Sequence, residues 1–124
     1  MTRAILAMLV GVLPLCGCTA APVTADAPKN VRGHAIQPFE LHEECAKLQP
    51  GDRLEYAFES TEPVDFNIHF HEGKAVVMPI AREKSRGDAG SFAPPFAQDY
   101  CLMWEAGAAG ALLDYRVRLR PAAR

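Results

Sequence analysis

The sequence is poor in the parts that most catalytic chemistry needs. It has three serines, Ser60, Ser85 and Ser91, and none stands in a G-x-S-x-G context, so a hydrolase nucleophile elbow is excluded. No glycine-rich phosphate loop occurs. No two cysteines have C-x-x-C spacing, which removes the commonest structural zinc signature. Carboxylates are scattered, and no spacing pairs an acid with a base. The formal charge of −2 leaves no basic excess to hold nucleic acid. The uncharged run from Ala4 to Leu15 is about a dozen residues long, short of the roughly 20 that a helix needs to cross a bilayer.

What is present begins with that run. It follows the single positive charge of Arg3 and closes at Pro14, Cys16, Gly17 and Cys18, in the order of a secretory signal. Leu15-Cys16-Gly17-Cys18 resembles the lipobox of bacterial lipoproteins, with Leu three places before the modified cysteine and a small residue just before it. The competing site at Cys16 would put bulky Leu15 in the small position. The resemblance implies that residues 1–17 are removed and that Cys18 carries a diacylglyceryl group and an acylated amine, palmitate being a typical chain. Two or three acyl chains anchor a protein stably where one does not. Thr19 replaces the Asp that retains such proteins at the inner membrane. The expected location is therefore the outer membrane, facing the periplasm. Residues 18–32, rich in Ala and Pro and without apolar periodicity, read as a lipid-anchored linker.

From residue 33 to 124 the period is two. Leu54, Tyr56 and Phe58 share one face; so do Val64, Phe66, Ile68 and Phe70, opposed by Asp65, Asn67, His69 and His71; so do Leu113, Tyr115, Val117 and Leu119. Such alternation predicts half-buried strands. Turn signals stand at Gln49–Asp52, Thr61–Pro63, Glu72-Gly73, Arg86–Gly90 and Gly107–Gly110. One helical turn is conceivable at Glu43–Leu48. The predicted fold is all-β, an antiparallel, jelly-roll-like β-sandwich. Cys45 and Cys101 lie on the exported side of the signal, where an oxidising compartment predicts a disulfide between them.

The stretch from Cys45 to Leu119 resembles the GOLD domain, the lumenal β-sandwich of emp24/p24 cargo receptors. The matching pieces are Cys45 ahead of Pro50-Gly51-Asp52, the strand Leu54–Phe58, Val64-Asp65-Phe66-Asn67-Ile68, Tyr100–Glu105 and Leu113–Val117. No coiled coil or membrane helix follows, and Ala106–Ala109 replaces the family's Asn/Ser-rich turn. The resemblance implies protein or lipid contacts without catalysis, through an unidentified envelope partner, and a cysteine pair placed as in p24 proteins. It transfers no binding residue, because the matched positions are framework.

His69-Phe70-His71-Glu72 is the most distinctive local motif. Residues i and i+2 of a strand share a face, so His69 and His71 form a candidate pair for zinc or copper, with Met78, Asp65, Asn67, His34 and His42 as possible additions. The plainer reading is a solvated polar face. A cupin site is rejected, because Pro63 stands where its glycine is needed and Ala75 or Val76 where its glutamate is needed. Phe92 and Phe96, around Pro94-Pro95, read as a cover over the core or a partner-binding lip. Trp104 alternates with Tyr100 and Leu102, as a core residue would. Arg116, Arg118 and Arg120 read as a solvated edge that discourages edge pairing, or as a site for phosphate or lipid headgroups.

Overall fold

The computed structural model describes residues 22–25 and 27–123. The signal sequence with Cys16, and the lipidation site Cys18, lie outside them. Six antiparallel strands run in chain order: β1 (Lys29–Ile36), β2 (Leu41–Leu48), β3 (Arg53–Glu72), β4 (Ala75–Phe92), β5 (Gln98–Ala106) and β6 (Ala111–Arg120). No helix occurs among the described residues.

Strand β3 organises the molecule. Its first half, Arg53 to Ser60, pairs with β6; its second half, from Val64 to His69, pairs with β5. β4 follows along its other side through both halves. The order β1-β6-β3-β5-β2, with β4 on β3, is therefore one six-stranded sheet that curls around one core, bent along the β3–β4 hairpin. The chain does not reverse at Thr61-Glu62-Pro63, as the turn signal suggested. It turns a corner there, where Pro63 could not have donated to a ladder. Arg86–Gly90 likewise lies inside β4. The true reversal is at Gly73, whose φ of 61° suits a two-residue hairpin loop.

The predicted apolar faces form the core. Leu54, Tyr56 and Phe58 meet Val64, Phe66, Ile68 and Phe70 across the corner, with Phe66 5.0 Å from Tyr56 and 4.8 Å from Phe58, centroid to centroid. Trp104 is fully buried among Phe58, Phe66 and Tyr115. Burial of each large apolar side chain is worth about 1.5–3 kcal/mol, and this ring cluster is the densest part of that gain.

Two segments differ from the sequence reading. Glu43–Leu48 is strand, not a helical turn, because His42, Glu44, Ala46 and Leu48 all face inward and two of those four are polar. The segment read as linker contributes to the fold at its end: β1 starts at Lys29, and Val23 is buried with its N–H donating to the Cys45 carbonyl at 3.4 Å. Nor is β6 an edge, since it lies between β1 and β3.

Candidate functional site

The disulfide joins Cys45 and Cys101, which face each other directly in the β2–β5 ladder with Cα atoms 4.0 Å apart. Inward residues of β5 are Tyr100, Leu102 and Trp104, so Cys101 and Met103 fall on the outer face, and the bridge is half-buried there.

The next strand in that sheet brings His69 beside it. His69 pairs with Cys101 in the β3–β5 register, as Asn67 pairs with Met103. The pattern predicted an exposed His69, but only 2% of its surface is accessible, and Asn67 is buried too. The geometry explains this. His69 Nδ1 lies 2.8 Å from Asn67 Oδ1, and its Nε2 lies 3.4 Å from Glu43 Oε1 on β2. Neighbouring strands are about 4.8 Å apart, so a ring on β3 reaches β2 only by lying across β5. Opposite His69 the β4 ladder jumps from Ile80 to Val77, leaving Met78 and Pro79 as a bulge where a missing N–H is harmless.

The ring is thus held between the Asn67 side chain and the Glu43 carboxylate, one nitrogen facing each. Burial lowers the His69 pKa; Glu43 pulls it up, and His71 pushes it down. The His71 ring stands edge-on at 5.2 Å and is exposed. Sequence reasoning brought the two histidines together but missed that one is buried and held between side chains of β3 and β2. Among the described residues no group of three His, Cys, Asp or Glu side chains could hold a metal.

A second polar cluster lies inside the fold where β1 faces β2, and it gathers His34 and His42 away from His69 and His71. The buried Glu44 carboxylate receives the Lys29 ammonium at 2.6 Å and 2.8 Å on its two oxygens. The Tyr115 hydroxyl donates to Glu44 and accepts from His42 Nε2 at 2.9 Å. Burial pushes the Glu44 carboxyl up, but contacts from His42, Lys29 and Tyr115 outweigh it and hold the pKa at about 2. Burial and the same hydrogen bond push the Tyr115 phenol well above its ordinary value. The His34 ring lies 4.0 Å from that of His42 and tilted 41° to it, beside an irregularity in the β1–β6 register that includes Gly33, φ 63°. Its pKa is lowered by burial and then by His42. The Trp104 Nε1 nearby is buried without a hydrogen-bond partner.

The remaining motifs separate. Phe92 is buried, while Phe96 is 45% exposed and packs edge-on against Phe70. Arg120 donates to Glu55 at 2.6 Å; Arg116 is exposed on the outer face, at the rim of a shallow 610 Å³ trough floored by Ala57 and Ala89. Phe39, Leu41 and Leu112 are exposed at the end of the sandwich formed by the β1–β2 and β5–β6 loops, and Phe39 holds a left-handed φ of 60°.

No family model matches the chain, and no curated protein matches it. Among solved structures it is similar to the solution NMR structure of a de novo designed double-stranded β-helix, at 17% identity and a TM-score of 0.41, covering 76% of this chain and 99% of that one.

Proposed function

We propose that this chain is a lipid-anchored envelope protein whose GOLD-like sandwich serves as a non-catalytic binding or scaffold domain at the periplasmic face of the outer membrane. The observation that carries this reading is the Cys45–Cys101 bridge. Disulfides persist in oxidising compartments outside the cytosol, which agrees with an export signal ending in a lipobox. The exposed apolar end around Phe39, Leu41 and Leu112 supports a contact role, since adjoining exposed apolar residues mark surfaces that meet a partner or a membrane. The zinc or copper alternative through His69 and His71 has less support, because both ring nitrogens of His69 already face protein oxygens.

The test is substitution at the lipobox, with metabolic lipid labelling and membrane fractionation. Cys18→Ser should abolish labelling and processing at that site, while Cys16→Ser should leave both intact. Normal labelling of the Cys18→Ser protein would refute the anchor.

A further inference from the structure

We propose that the end of the fold carrying Phe39, Leu41 and Leu112 is a membrane-contact surface, held against the same bilayer in which Cys18 is anchored. It rests on the lipid-anchor reading and names the partner of that exposed end, a zwitterionic lipid surface.

The anchor lies close to the folded core. Val23 is buried, and its N–H donates to the Cys45 carbonyl in the middle of β2. From Cys18 to Val23 the chain advances five residues. Extended backbone spans at most about 3.6 Å per residue, so an acylated Cys18 holds the bilayer within about 18 Å of Val23. Leu41 stands four residues before Cys45 on β2, about 14 Å at the rise of a strand. The apolar end is therefore within reach of the tether. So short a link makes the contact intramolecular in effect, and a few side chains are enough to hold it.

What each end of β2 exposes decides which of them faces the lipid. Past Leu48 the chain turns through Gln49 to Asp52, flanked by the exposed Lys47 and Arg53, and the Ala122 N–H donates to Asp52 there. Phe96, near that end, already packs edge-on against Phe70. At the opposite end Phe39 is 74% exposed, Leu41 55% and Leu112 50%. The Phe39 N–H donates to the Gly107 carbonyl, which joins the β1–β2 and β5–β6 loops, and Leu112 follows the Ile36–Ala111 pair that closes β1 on β6. Phe39 holds a φ of 60°, in the left-handed region that favours glycine. Neither backbone preference nor packing within the fold accounts for a phenylalanine in that position, whereas a surface outside the fold does. Glu40 and Glu105 are exposed beside it, so anionic lipid would repel this end and zwitterionic lipid would not.

The experiment uses the full-length lipidated protein in phosphatidylcholine vesicles, with or without bromine on the acyl chains. Apolar groups at an interface sink about 5–10 Å into the headgroup–acyl boundary, within reach of quenching by the bromine. Tryptophan probes are introduced by Phe39→Trp and, at the other end of β2, by Gln49→Trp; the fully buried Trp104 is a common background. Brominated chains should quench the Phe39→Trp signal about twice as strongly as the Gln49→Trp signal or more, and its emission should shift to the blue on reconstitution. Leu41→Trp should be quenched likewise, and it serves as the probe if the Phe39 variant does not fold. Equal quenching at Gln49, or none at Phe39 and Leu41, in protein whose mass shows acyl chains on Cys18 overturns the proposal and leaves the anchor standing. A mass without acyl chains on Cys18 refutes the anchor and the contact with it. A blue shift that grows with protein density in the vesicle and ignores bromine identifies a second copy as the occupant and overturns the membrane contact.

Discussion

Replacing Glu44 by Gln tests the inner cluster by removing a charge while keeping its shape. A carboxyl that ordinarily titrates at 4.5 but sits at about 2 in the fold contributes about 3 kcal/mol of stability at neutral pH, from 1.36 kcal/mol per tenfold change in proton affinity. Lys29 keeps a quarter of its side chain in solvent, so screening reduces the expected effect to about 2 kcal/mol. The folded pKa is depressed, so this contribution is present above the unfolded value of 4.5 and fades as the pH falls toward about 2. Urea unfolding followed by tryptophan fluorescence, with the bridge intact, measures it. At neutral pH the Glu44→Gln protein should be about 2 kcal/mol less stable than wild type, and the gap should close progressively between about pH 5 and pH 2. Other carboxylates tilt both curves alike, so the difference isolates this one. A gap that does not change with pH, or no gap at neutral pH, refutes the reasoning.

Two further predictions concern the frame. Replacing both Cys45 and Cys101 by Ala opens a closed loop of sequence separation 56 and should lower the unfolding free energy by about 4 kcal/mol in the chain-entropy account, measured in the same urea series. Gly90→Ala should destabilise by about 1–3 kcal/mol, because a Cβ there would stand 2.7 Å from the Tyr56 hydroxyl oxygen; a melting temperature equal to wild type would mean that Tyr56 moves aside without cost.

The legible parts of the fold were those where one face of a strand is wholly apolar. Val64, Phe66, Ile68 and Phe70 announce their strand and their inward side, and so do Leu113, Tyr115 and Val117. β1 and β2 were hidden because their inward positions include His34, His42 and Glu44, whose burial is made tolerable by partners from other strands. Period-two reasoning sees polarity and not pairing, so it put Lys29–Arg32 in a linker and Glu43–Leu48 in a conceivable helical turn. The same limit applied to His69. Its face was correctly set opposite the core, but its burial depends on Glu43, 26 positions earlier in the chain and two strands away in the sheet. The disulfide was legible because the compartment, rather than the local pattern, called for it.

The corner in β3 has a consequence for how the molecule comes apart. One continuous strand pairs with β6 in its first half and with β5 in its second, and β4 travels with it through both. Neither half of the curled sheet can open alone while β3 and β4 stay paired on both sides of the break between Glu59 and Val64. Backbone amides of Tyr56 and of Ile68, though they lie on opposite sides of the corner, should therefore exchange with deuterium in a single cooperative event. A protease that nicked the chain at the corner would divide that event into two, turning one folding unit into a pair of complementary fragments held by the core and, between β2 and β5, by the bridge.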